Sequence, residues 1–221
     1  MKTGRSTRPR LHAPLLAALS AIFAVGCALT SKSEPLAPRY FSPERSGEVS
    51  APLARAEGQP LELRLGRITS ASYLDERLVY RDSAFELGYY QERRWTEEPA
   101  HYLERRMARV LFEVRGVRQV VGGVGPTLDL ELIAFEEIRA PKPTARVGLV
   151  VKLRDQRLVR WEQTVTLDQA IGVDPRGDQA AALVEALGSA LRAVVEQVAD
   201  RVLIELAAPL KKEPRAAADR P

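Results

Sequence analysis

Leu61, Leu63 and Leu65 alternate with Glu62, Arg64 and Gly66, and a period of two marks a strand with one buried face. Ser70 to Arg77 reads as a loop. Leu78-Val79-Tyr80-Arg81, then Asp82-Ser83, then Ala84 to Gln91 reads as a hairpin. The period then changes. Leu103, Met107, Val110, Leu111 and Val114 recur at spacings of three and four, the apolar face of a helix. Thr96 is the expected N-cap, Glu97 and Glu98 suit the positive end of the helix dipole, Pro99 fits the first turn, and Gly116 ends the run. Alternation returns in a short piece at Val117 to Val121, then in Thr127 to Phe135, Arg146 to Leu153 and a last strand in which Val159, Trp161, Val165 and Leu167 share parity. Ile171 to Gly177 is a loop. From Asp178 to Ala208 one long helix is predicted, with Leu183, Leu187, Leu191, Val194, Val198 and Val202 as its stripe, Gly188-Ser189 as a place to bend and Pro209 as its stop. The predicted fold class is α+β: a mostly antiparallel sheet with two helices packed on one face, the C-terminal one long.

The N-terminal pattern differs. Lys2, Arg5, Arg8 and Arg10 precede an apolar run, Leu15 to Gly26, which closes on small residues before Cys27. That is the layout of a secretory signal peptide over residues 1–26, and the run is shorter than the ~20 residues a spanning helix needs. Ala24-Val25-Gly26-Cys27 resembles the bacterial lipobox, whose cysteine is acylated and becomes the new N-terminus; Ala24 stands where leucine is usual. Residues 27–60 read as the lipidated Cys27 and a proline-rich tether, with Arg39-Tyr40-Phe41-Ser42 as a short first strand docked on the domain. The folded domain is placed at 61–208 and a disordered charged tail at 209–221.

Charge alters the picture once the leader is removed. The 221-residue chain has 33 basic and 29 acidic residues. Taking away the four basic side chains before Cys27 leaves 29 of each. A neutral mature chain lacks the basic surface that displaces counterions from nucleic acid, so no nucleic-acid partner is expected. Cys27 is the single cysteine and His101 the single histidine after residue 26, so no Cys/His zinc cluster can form and a Ser-His-Asp arrangement has one candidate base. No cofactor or metal is implied.

Other candidates for chemistry are weak. Gly122-Gly123-Val124-Gly125 precedes a strand where a nucleotide loop would precede a helix, and reads as a strand connection. Glu97-Glu98 and Glu136-Glu137 are adjacent acids, which do not face each other across a cleft; helix capping and a solvated strand end account for them. His101, in the first turns of a charged helix, reads as a surface residue. The chain is therefore expected not to be an enzyme; a hydrolase using His101 or an acid pair is the rival from that class. The aromatic residues clustered from Tyr73 to Tyr102 allow two readings. Phe85, Tyr89 and Trp95 pack beneath the first helix, or Tyr73, Tyr90 or Trp95 lie exposed and hold a partner or an acyl chain.

Tyr73-Leu74-Asp75-Glu76-Arg77-Leu78-Val79-Tyr80-Arg81, followed by Arg94-Trp95 and the Pro99 helix, carries a family resemblance. The chain resembles the auxiliary lipoproteins of ABC-type transport systems, the PqiC type, over nearly all of its mature length. The resemblance implies a periplasm-facing lipoprotein that accompanies an MCE-domain protein, an ABC permease and an ATPase in lipid traffic between the inner and outer membranes. Ala28, rather than the aspartate that retains lipoproteins at the inner membrane, follows Cys27 and points to the outer membrane. The alternative is a structural or regulatory envelope lipoprotein that contacts an envelope enzyme without carrying lipid.

Overall fold

A computed structural model of the chain describes residues 37–44, 61–156 and 158–209. The expected signal peptide at 1–26, Cys27 and all but the first residue of the expected tail at 209–221 lie outside the described residues. The strands are β1 (Arg39–Phe41), β2 (Glu62–Ser70), β3 (Arg77–Arg81), β4 (Leu87–Trp95), β5 (Arg118–Gln119), β6 (Thr127–Ile138), β7 (Thr144–Asp155) and β8 (Leu158–Ala170). Helix α1 is Pro99–Ala108 and α2 is Gln179–Ala207.

The sheet is mixed, open and forked. Along one edge of β6, β2 pairs parallel with the first half and β3 parallel with the second. The other edge carries the long antiparallel ladder β6–β7–β8. Beyond β3 lie β4, antiparallel, and β1, parallel to β4; β5 is parallel to β2. The fork follows from length. β6 has 12 residues, so two shorter strands fit end to end along it.

Alternation places Val147, Leu149, Val151 and Leu153 of β7 and Leu128, Leu130 and Leu132 of β6 in the core. The two helices cover that face. The predicted apolar positions of both helices are all buried there, and burial of such stripes is the main source of stability for a domain of this size. The next turn after α1, Arg109–Val114, is π-helical, and the run stops at Gly116.

Several expectations need correction. Thr96 does not cap α1: the residue before Pro99 is Glu98, without a side-chain cap, and the Thr96 hydroxyl instead meets the Tyr102 hydroxyl at 2.7 Å. The hairpin turn is Asp82 to Glu86, and β4 runs on to Trp95. Val159 does not share a face with Trp161. A register shift pairs Leu153 with Trp161 but Arg154 with Val159, leaving Arg160 as the extra residue. The shift has a use, since Arg160 donates to the Glu205 and Ala208 carbonyl oxygens at 2.6 and 2.7 Å and so satisfies the end of α2.

Gly188 is not a break in α2, which runs unbroken for 29 residues. It is a crossing point. Residues 38–44 form a strap beside β4 and over α2, with Pro43 buried. A Cβ on Gly188 would overlap the Pro43 carbonyl oxygen. Arg39 is ion-paired to Asp178, whose carboxylate caps α2 by accepting from the Ala180 and Ala181 N–H groups. Glu44 reaches Arg105 of α1 at 2.8 Å. The expected first strand is thus present, and it is fastened to both helices.

Candidate functional site

The β3–β4 lobe holds the aromatic group singled out by the sequence. Trp95, the last residue of β4, is 1 % exposed and packs between Tyr102 of α1 and Phe135 of β6, at ring centroid distances of 6.2 and 5.0 Å. Trp95 therefore belongs to the core and offers no surface to a partner. Tyr73 is half-buried and donates its hydroxyl to the Ile133 carbonyl oxygen; burial pushes its pKa up, and Glu136 nearby adds to the rise. Phe85 does the opposite of what the packed reading requires. It is 100 % exposed at the hairpin turn, and Tyr89 lies under the Arg77 guanidinium at 3.9 Å rather than under a helix.

Tyr90 is the centre of a small cluster. Its ring meets Tyr80 edge-on at 5.1 Å, Arg93 covers it at 4.1 Å, and its hydroxyl donates to Glu137. Arg139, just after β6, stacks on Tyr80 at 3.3 Å and also reaches Asp82 at 3.3 Å. Register brings these together: Tyr80 lies opposite Gly88 on one side and Glu137 on the other. Gly88 leaves room for the Tyr80 ring, which a Cβ would overlap. Burial raises the Tyr90 pKa and Arg139 opposes that rise. Arginine on tyrosine faces is the chemistry of a contact surface, planar and polar at once. No sequence signal announced Arg139, because its rings are supplied by β3 and β4; Arg93 covers a ring of its own strand, three residues away.

The remaining candidates separate. Glu136 was expected at a solvated strand end, yet it is 2 % exposed and bound by Arg81 through 2.9 and 3.2 Å hydrogen bonds. Neighbouring residues of a strand point to opposite faces, so Glu136 and Glu137 never meet as a catalytic pair. Glu97 is held by Arg105 at 2.6 Å and lies below the usual carboxylate range because of that hydrogen bond. His101 is exposed on α1. Among the described residues no group of three His, Cys, Asp or Glu side chains is placed to hold a metal ion, and no helix is long and apolar enough to cross a membrane.

On the face without helices, a groove of about 610 Å³ runs over β2, β6 and β7. Its lining is charged, with Arg64, Arg67, Asp129, Lys152 and Arg154. Asp129 accepts from Arg154 Nε at 2.6 Å and from the Arg67 N–H at 2.8 Å. Desolvation pushes its pKa up, but these two donors outweigh that and leave it below the ordinary range. Farther along the same face Arg146 holds Asp168 and Lys152 holds Glu162. Such a face suits a polar partner and offers no sleeve for an acyl chain.

A sequence model described as ABC-type transport auxiliary lipoprotein component matches residues 46–199. The chain belongs to this family. No curated protein matches it. The auxiliary lipoprotein fold recurs in a crystal structure from Xanthomonas campestris, family DUF330, at 20% identity and a TM-score of 0.58, covering 71% of this chain and 93% of that one. A second crystal structure, of an uncharacterised protein, matches at 14% identity and a TM-score of 0.53, over 75% of this chain and 99% of that one. A minor lipoprotein from Acinetobacter baumannii is similar at 9% identity and a TM-score of 0.40, over 64% and 91%. The first two share the fold; the third is too distant to carry an argument. The family is one of transport auxiliaries and is not a known enzyme family.

Proposed function

We propose that this auxiliary lipoprotein is a non-enzymatic, membrane-anchored docking component of an ABC/MCE-type transport system that moves lipid or another hydrophobic solute between the inner and outer membranes. Cys27 carries the anchor, and two or more acyl chains hold stably because each buried CH₂ contributes ~0.8 kcal/mol. The protein faces the periplasm from the outer membrane, and its partners are an MCE-domain protein and the ABC permease and ATPase. The family match carries the reading. The structure supports the docking part of it: the apolar sheet face is used up by α1 and α2, while the polar groove and the Tyr80–Tyr90–Arg139 cluster remain for contact. Tyr73 and Tyr90, both partly exposed, are the sequence-predicted contact residues that keep a surface.

The charged character of the open face also favours a second reading, the regulatory envelope lipoprotein that binds a protein without carrying lipid. One experiment separates the two. Full-length protein is crosslinked in native membranes and purified, with Cys27→Ser as control. Recovery of an MCE-domain protein or its permease, lost together with membrane retention in Cys27→Ser, is the expected result. Unchanged retention of Cys27→Ser refutes the anchor. Recovery of an envelope enzyme in place of any transport subunit replaces the transport reading by the regulatory one.

A further inference from the structure

Three connections meet at one end of the sheet. β3 and β6 are parallel and finish together, with Arg81 opposite Ile138. β6 turns into β7 there through residues 139–143, and β8 finishes opposite the start of β7, with Ala170 opposite Thr144. The β3–β4 turn, the β6–β7 connection and the β8–α2 loop therefore share that end. Two of them carry apolar side chains in full contact with water: Phe85 at 100 % and Val173 at 93 % exposure. Lys142 of the β6–β7 connection is exposed and lines a groove with Val173, and Arg139 links this connection to Asp82 of the hairpin turn.

The direction of β1 selects this end. β1 is parallel to β4, with Arg39 opposite Arg93. Followed backward from Arg39, the strand axis runs along β4 toward Leu87 and the hairpin turn. The six steps from Arg93 back to Leu87 cover about 20 Å at a strand's rise. The ten residues from Ala28 to Ala37 can span up to about 35 Å when extended. An acylated Cys27 thus has enough chain to lie level with the Phe85 turn or beyond it.

We propose that this end of the domain rests on the bilayer that holds the anchor, and that Phe85 inserts into the headgroup–acyl boundary as a second attachment point. This rests on Cys27 being acylated. An aromatic ring at a hairpin tip is suited to the interface, where apolar and wet surroundings meet, and the exposed Lys142 at the same end can reach phosphate groups. Acylation supplies the retention and the hairpin supplies the orientation. The opposite end, with the Gly122–Gly125 loop, Val121 and the end of α2, then faces away from the membrane.

The test uses the lipidated full-length protein. Phe85→Cys introduces a thiol at a side chain that touches nothing, so the fold is kept; Val121→Cys, 89 % exposed on the loop between β5 and β6 at the other end, is the counterpart. Each is labelled with the fluorophore NBD and reconstituted into vesicles of phosphatidylethanolamine and phosphatidylglycerol, with and without nitroxide-labelled lipid. The expected result is a blue shift and several-fold quenching at position 85 and neither at position 121. Position 85 unquenched while the protein floats with the vesicles overturns the proposal and leaves the anchor standing. Quenching at both positions, or at 121 alone, overturns it as well. Unsubstituted protein distinguishes the other failure: an acylated Cys27 sulfur takes no label, whereas labelling there removes the anchor and this proposal with it.

Discussion

Arg81 and Glu136 are the residues whose chemistry is most exposed to a single change. Glu136 has almost no contact with water, and Arg81 closes over it with two hydrogen bonds. Removing one partner of such a pair leaves a buried charge without compensation, at a cost of several kcal/mol, whereas removing both at similar volume is close to neutral. Arg81→Met is therefore expected to lower unfolding stability by about 3 kcal/mol in urea titration. Arg81→Met with Glu136→Leu should recover most of that loss. A double variant no more stable than the single one would show that Arg81 acts through other contacts. The sequence displayed Glu136 beside Glu137 and suggested a solvated end. It could not show that β3 lies parallel to β6 and places Arg81 over the carboxylate, because that pairing joins residues 55 apart in the chain.

At the scale of elements, periodicity was enough where one face of a segment is buried. β6, β7 and both helices were legible for that reason, from Leu128-Leu130-Leu132, Val147-Leu149-Val151 and the two helical stripes. It failed where a tertiary contact sets the residue. Gly188 looks like a helix weakness in sequence, yet it is required by the backbone of Pro43 crossing α2. Alanine there would gain about 1 kcal/mol of helix propensity. The overlap is with a carbonyl oxygen, which cannot rotate away, so overpacking of about 1–3 kcal/mol opposes that gain. Gly188→Ala is expected to release the strap. Limited trypsin digestion should then cut faster after Arg39, with little change in far-ultraviolet circular dichroism. Equal cleavage rates in the variant and the parent would mean the strap is held by Arg39–Asp178 and Glu44–Arg105 alone. Phe85 shows the other limit: in sequence it reads as a packed residue of the strand Ala84 to Gln91, and only the hairpin geometry puts it in the turn and in water.

For the whole molecule, paired carboxylates govern the response to acid. Asp75, Glu97, Asp129, Asp168 and Asp178 all have pKa values below the ordinary range; an arginine side-chain hydrogen bond is the leading cause for all but Asp129, where two donors outweigh desolvation. A carboxylate lowered in the folded state adds stability that is present above the unfolded pKa, near 4, and is lost as pH falls through the folded value. The midpoint of thermal unfolding should thus hold steady from neutral pH to about 5 and fall below about 4. High salt at pH 7 should change it little, since exposed pairs are weak and screened. A midpoint that rose on acidification would contradict this assignment of charges.

The strap has a mechanical meaning too. Because β1 runs parallel to β4, tension drawn through Pro38 along the strand axis loads the β1–β4 hydrogen bonds in shear, all together. Peeling would break them one at a time. Behind them the crossing at Gly188 and the Glu44–Arg105 bridge act as a stopper. A short strand of three residues can in this way transmit a pull on the chain ahead of it to the two helices before the sheet gives way.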